Sequence, residues 1–404
     1  MRLEKWLKFS VFNLVIVAFL GVIMRYKILF YFPWIDQKHT QEAHSHFAFY
    51  GWVTCCIYVL VVRYLQKNIP PDNLGKYKTL LVGNVLASFG MLLTFLYGGY
   101  FWLSIVFSTL ALLVSFAFFF FLLKDLKNIQ EPSKIWFLAG LFFAVLSSLG
   151  VFFLAYMKVS GTLQQDWYLA STYYYLHFQY NGFFIFSCIG LLLFSLKEIG
   201  VQITQKQNKT IFWSLFLGCV IGFGLSVLWL ELPLWLLVLV GFATVIQTFG
   251  VFQLYQFIKN NWAKIKGIWS PLQRFIFIYV GFAFLVKTLL QLLSIIPEIS
   301  QFAFGFRNVV VAYLHLVLLM CISAFLLSQV LVTQYFKTSK YLQLGIGLFL
   351  FGVFLNEAVL GIMGIFSISY IPVPFSAHWL LGASVIIFIS VILIFSQLKK
   401  NKIE

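Results

Sequence analysis

The sequence holds six histidines, and all but His39 lie in or at the mouth of a long apolar stretch: His44 and His46 together, then His177, His315 and His378 far apart along the chain. Neutral imidazole is the commonest protein ligand for haem iron and for copper. An ionisable group placed in hydrocarbon is costly and usually marks a working site. The competing use of a membrane imidazole is a hydrogen bond to a neighbouring helix, worth ~1 kcal/mol. Which use applies depends on the elements that carry these residues and on the depth at which each one sits.

Those elements follow from composition. Of 404 residues, 62% are hydrophobic and 10% charged, with only 12 Asp and Glu, so the chain cannot clothe a water-soluble globule. Apolar runs long enough to cross ~30 Å of hydrocarbon recur from end to end. They predict an all-α polytopic bundle, a single membrane domain over 1–404 in contact with the lipid bilayer. Twelve transmembrane helices are expected, near 9–30, 41–62, 79–97, 101–123, 135–157, 171–196, 210–230, 233–257, 272–296, 307–332, 341–369 and 376–396. Between them stand Pro70-Pro71-Asp72-Asn73, Glu131-Pro132-Ser133, Glu231-Leu232-Pro233, Ser270-Pro271, Ser294 to Glu298 and Pro372-Val373-Pro374, none of which continues a helix.

Most of the 28 Lys and Arg residues, among them Arg2, Lys67, Lys127, Lys197, Lys264 and Lys400, fall on one side of that alternation. Lysine and arginine are retained on the cytoplasmic side, so both termini are expected there. The net charge of +16 is therefore loop charge, and no nucleic-acid motif accompanies it. Arg25 and Lys27 stand where a signal peptide would have its small-residue cleavage site, so the first helix is expected to be retained. The five cysteines all lie in apolar runs and read as packing; none belongs to a Cys-x-x-Cys-His haem-attachment motif.

Orientation fixes depth. His44, His46, His177, His315 and His378 all fall on even-numbered helices near their outer ends, and so share one outer layer of the membrane. His44 and His46 are about 200° apart on a helix, so the two cannot both face one central ligand. Lys287 and Glu357 sit deep in helices 9 and 11 at similar depth, which suggests a buried charge pair, either structural or part of a proton path with Asn356, Gln291 and Gln247. Trp167, Tyr168 and Tyr173 to Tyr175 read as an interfacial belt. Gly222-x-Gly224, Gly345-x-Gly347 and Gly361-x-x-Gly364 read as close helix contacts.

Two segments resemble a known family. Ala43-His44-Ser45-His46-Phe47-Ala48-Phe49-Tyr50-Gly51-Trp52 is similar to the helix 2 haem-ligand segment of haem-copper oxidase subunit I, particularly in C-type oxidases and nitric-oxide reductases. Val310-Val311-Ala312-Tyr313-Leu314-His315-Leu316-Val317-Leu318 is similar to the helix 10 segment of the same family. The resemblance implies a low-spin haem b with His44 and His315 as axial ligands, a bacterial inner-membrane location, and respiratory partner subunits or an electron donor. Arg25 and Arg307 would suit its propionates, since a guanidinium grips a carboxylate bidentately, with interface anchoring as the other reading.

The binuclear centre of that family is largely missing. Tyr313 replaces the high-spin haem ligand, and helix 7 carries no histidine for copper. His177 alone has a depth like that of the first copper ligand, so copper at His46, His177 and His378 is the lesser expectation beside hydrogen bonds to propionates or water. The implied function is electron transfer or sensing of redox state or nitric oxide, with no oxygen reduction. The NnrS group of nitric-oxide-response membrane proteins shares a His-x-His near a helix start, but its Gly-Gly-Arg segment is absent. The alternative from another class is a twelve-helix secondary transporter with Lys287 and Glu357 in the translocation path.

Overall fold

A computed structural model describes residues 1–333 and 335–399; Gln334 and residues 400–404, with the expected terminal cations Lys400 and Lys402, lie outside the described residues. Among the described residues, twelve helices are long and apolar enough to cross a membrane. In chain order, spans 1 to 12 are Leu3–Leu29, Gln37–Gln66, Pro71–Gly98, Trp102–Asp125, Pro132–Ser160, Gln165–Glu198, Gln205–Val227, Leu234–Asn260, Pro271–Leu293, Arg307–Val332, Lys340–Ser367 and Ser376–Gln397. Hydrocarbon offers no hydrogen bonds, so each crossing must satisfy its backbone internally and becomes helical. Every expected crossing is present, and most extend beyond the apolar run into polar flanks.

The ends are set by local chemistry. Asp36 caps span 2 by accepting from the His39 amide at 2.9 Å. Thr204 caps span 7, Ser339 caps span 11, and Ser270 with Gln273 forms a capping box ahead of Pro271. Gly161, at φ +69°, closes span 5 in the left-handed conformation. Pro70 and Pro71 break the chain as expected, but Pro71–Leu74 then forms a 3₁₀ turn that leads directly into span 3. Proline is compatible with a helix start because its fixed φ and missing N–H cost nothing there. Short helices at Trp262–Ile268 and Pro297–Gly305 occupy loops that the apolar pattern leaves blank.

The chain divides into two compact units, 1–118 with 322–404, and 119–321. In the first, span 1 packs on spans 2 and 12, span 12 on span 11, and span 2 on span 3. In the second, span 5 packs on span 6, span 7 on span 8, and span 8 on span 9. Each unit encloses one span more than the rest: 83% of the apolar window of span 2 and 94% of that of span 6 are buried, against 33% for spans 4, 8, 9 and 12.

Small residues allow the closest approaches in the second unit. A Cβ on Gly150 would lie 2.6 Å from the Ser171 carbonyl oxygen, and one on Gly182 would lie 2.5 Å from Phe143 Cβ. The expected glycine contacts hold in part. Gly224 abuts Val240, and a Cβ on Gly345 would lie 3.1 Å from Ile394, whereas Gly347 and Gly361 face open space. For Gly345 and Gly347 the difference arises because residues two apart on a helix point about 200° apart and cannot both face one neighbour.

Candidate histidine sites beside three widened helices

Three of the described histidines end an ordinary α-helical segment and begin a π-helical one. The α-helix Gln37–His46 passes into the π-helix Phe47–Thr54, Gln165–His177 into Phe178–Phe184, and Arg307–His315 into Leu316–Ser323. Sustained π geometry is rare, and its usual occurrence is a single widened turn, often at a functional site. Here it recurs in spans 2, 6 and 10, four crossings apart each time. His46-Phe47-Ala48-Phe49-Tyr50-Gly51-Trp52 and His177-Phe178-Gln179-Tyr180-Asn181-Gly182-Phe183 share the order His, Phe, any, aromatic, any, Gly, aromatic. That internal likeness is the sequence signal for the feature, and hydropathy does not reveal it.

Neighbouring spans bond to the widened segments through buried polar side chains, and in span 2 they reach the backbone itself. In the first unit, Asn13 on span 1 donates to the Gly51 carbonyl at 2.6 Å, and Asn84 on span 3 donates to the Tyr50 carbonyl at 3.0 Å. Trp52 Nε1 donates to Ser323 Oγ at 2.9 Å. In the second, Gln179 Nε2 donates to Ser147 Oγ at 2.9 Å. Such bonds matter in lipid because a carbonyl released from the regular ladder has no water to turn to.

The imidazoles differ in what their nitrogens already do. His177 is 1% exposed. Its Nε2 faces the Cys219 carbonyl at 2.8 Å, so Nε2 carries the proton, and Nδ1 then accepts from Asn181 Nδ2 at 3.2 Å and Ser226 Oγ at 3.3 Å. His46 Nδ1 donates to the Glu42 carbonyl at 2.8 Å, and its Nε2 accepts from the Tyr100 hydroxyl at 3.2 Å. The ring also stacks on Phe95 with centroids 4.2 Å apart. Both residues thus serve as structural polar links.

His44 and His315 share with His46 an Nδ1 that meets a backbone carbonyl. His44 Nδ1 lies 3.0 Å from the Val17 carbonyl, and His315 Nδ1 lies 2.8 Å from the Val311 carbonyl. Each contact places the proton on Nδ1 and the lone pair on Nε2, which is the tautomer an imidazole adopts when Nε2 binds a metal and the backbone holds the other nitrogen. The donor set therefore fits an axial haem ligand at each residue. Around His315 the whole segment Arg307–His315 contains no buried residue, although Val309, Val310, Val311 and Leu314 are apolar. Beside His44, span 1 presents Gly21, where a Cβ would lie 3.6 Å from the imidazole Cε1. Among the described residues no three His, Cys, Asp or Glu side chains gather as a protein-only metal site would need.

The other expected residues lie as follows. His378 is exposed near the start of span 12, beside the Phe375 ring. Arg307 is exposed at the start of span 10, and Arg25 is half-buried within electrostatic reach of Glu357. Glu357 Oε1 accepts from Asn356 Nδ2 at 3.0 Å. Lys287, 4% exposed, lies over the Phe284 ring and within electrostatic reach of Cys219 and Cys321. Gln247 donates to Gln291 at 2.8 Å, joining two of the three amides expected near these charges. Trp167 and Tyr168 are exposed as the belt requires, while Tyr173 packs inward against Trp229 and Phe304.

The class defined by these features is a polytopic integral membrane protein with histidine-anchored π segments. No family model and no curated protein matches the chain.

Proposed function

We propose that the chain is a haem-binding membrane protein that carries electrons or senses redox state or nitric oxide through a b-type haem, with His44 and His315 as its axial imidazoles. The observation that carries the reading is the tautomer of the two residues that the family resemblance picks out: at both, a backbone carbonyl holds Nδ1, so Nε2 bears the lone pair that iron requires. The resemblance of residues 43–52 and 310–318 to the helix 2 and helix 10 segments of haem-copper oxidase subunit I points the same way. Bound haem would supply a reversible one-electron couple, and with two imidazoles on the iron it would offer no open coordination position. The protein's part is to fix the two tautomers and to keep the surroundings apolar, which tunes the potential. Copper is not part of the proposal, because His46 and His177 already engage both ring nitrogens. A bacterial inner-membrane setting with both termini cytoplasmic, and a respiratory electron donor or partner subunit, complete the reading.

The transporter alternative receives less support. Two tandem halves would each form a compact unit from consecutive spans, whereas the first unit here joins residues 1–118 to residues 322–404. The test is a reduced-minus-oxidised spectrum of the protein purified from a haem-replete host. A b-type spectrum that disappears in His44→Ala and in His315→Ala but persists in His378→Ala supports the proposal. A colourless, iron-free preparation refutes it and favours the carrier.

A further inference from the structure

Away from the histidines, the second unit contains a cavity of about 220 Å³ lined by Gln130, Pro132, Ser133, Leu193, Lys197, Val201, Gln202 and Ile203. It lies where the loop before span 5 meets the loop after span 6. One water needs only ~10–15 Å³ of such space, so this is no single-water niche; it is also below the ~300–1,000 Å³ usual for enclosed ligand sites. A headgroup suits that size.

The chemistry of the walls is specific. Ser133 is 2% exposed, lines the cavity, and its hydroxyl bonds to no other group among the described residues. An unpartnered buried hydroxyl facing a cavity calls for a ligand or water. Ser133 also belongs to the first turn of the 29-residue helix Pro132–Ser160, whose N-cap residue Glu131 makes no side-chain cap. Its amide therefore points out of the positive end of a long helix dipole. Lys197 supplies a cation, paired with Glu131 yet still 44% exposed at its side chain. The lining also includes the apolar side chains of Leu193, Val201 and Ile203.

The setting favours an anion as well. On this side of the unit, lysines at 124, 127, 134, 197, 206 and 209 outnumber Asp125, Glu131 and Glu198. A basic cavity at the end of a membrane helix, lined by both polar and apolar side chains, matches a lipid that has a charged head and hydrocarbon tails. We propose that it binds the phosphate of an anionic phospholipid, with the Ser133 hydroxyl, the Ser133 amide and Lys197 as donors and Leu193, Val201 and Ile203 against the glycerol and upper acyl carbons.

The test uses the full chain in detergent and reads the thermal midpoint during titration with phosphatidylglycerol, phosphatidylethanolamine or inorganic phosphate. Phosphatidylglycerol is expected to raise the midpoint saturably, and less so at high salt. Ser133→Ala, which removes a hydroxyl the fold does not use, should raise the half-saturating concentration about tenfold, as loss of one hydrogen bond to a charged group does. Lys197→Gln should raise it too. Glu131→Gln, which removes the competing carboxylate and keeps the lysine, should lower it. Equal protection by phosphatidylethanolamine or by inorganic phosphate would overturn the assignment. So would Ser133→Ala and Lys197→Gln proteins that titrate like the parent.

Discussion

Histidines that look alike in the sequence should fail in opposite ways when removed. His177→Ala strips the Cys219 carbonyl of its donor at 2.8 Å and leaves Asn181 Nδ2 and Ser226 Oγ, at 3.2 and 3.3 Å, without their acceptor. Asn181 Oδ1 already lacks a partner, so the amide gains nothing by turning over. Hydrogen bonds between membrane helices average about 0.6 kcal/mol and reach about 1.7. Two such losses to span 7, one bond lost within span 6 and the void left by the ring come to roughly 2–4 kcal/mol. His177→Gln, whose amide can still donate to Cys219, should lose about half of that. The assay is the unfolding midpoint in detergent, followed by tryptophan fluorescence, with the haem difference spectrum recorded on the same samples while folded. His177→Ala should unfold several degrees early yet keep the spectrum, because its nitrogens serve the fold. His44→Ala and His315→Ala each give up a bond to a backbone carbonyl, at 3.0 and 2.8 Å, and should lose the spectrum entirely while remaining folded. A folded His177→Ala protein without the spectrum, or a His315→Ala protein that retains it, would refute the division drawn from the nitrogen partners.

Other expectations follow from single contacts. Gly150→Ala should be strongly destabilising, since the new Cβ meets the Ser171 carbonyl at 2.6 Å, whereas Gly347→Ala and Gly281→Ala, facing open space, should be neutral or up to about 1 kcal/mol stabilising; thermal midpoints of the three variants should rank in that order. The Asp36 carboxylate is held below its ordinary value chiefly by the His39 amide it caps. Its contribution is therefore present above the ordinary carboxylate range and lost as pH falls through the depressed value. Amide exchange at His39 and Thr40, corrected for intrinsic rate, should quicken at acid pH in the parent but show no such step in Asp36→Asn, which caps without titrating. Tyr100→Phe should leave the fold intact and remove the 3.2 Å bond to His46 Nε2, read as a downfield change at the imidazole nitrogen in ¹⁵N-histidine-labelled protein. Absence of any change at His46 would contradict that contact.

The membrane crossings were legible because they depend on summed composition. A run of about twenty apolar residues must become a helix wherever water is absent, whatever its neighbours do. Caps such as Asp36, Ser270 and Gly161 act over three or four residues and emerged only with the structure, because summed apolarity does not report them. The helices overran the expected ends because polar flanks such as Gln37 to Glu42 and Gln165 to Trp167 pair their backbone as readily as apolar ones, while hydropathy reports only the lipid-filling part.

The candidate site was legible only in outline. Residue type and helix number marked the same five imidazoles as an outer layer, but not the role of each one. That role was decided by atoms distant in sequence: Cys219 and Ser226 for His177, Tyr100 for His46, Val17 for His44. The π segment of span 2 likewise has Asn13 and Asn84 reaching its carbonyls from spans 1 and 3. Periodicity along one strand of sequence describes a helix facing a uniform solvent. Which carbonyl a ring nitrogen meets is a property of two helices at once, and only their packing fixes it.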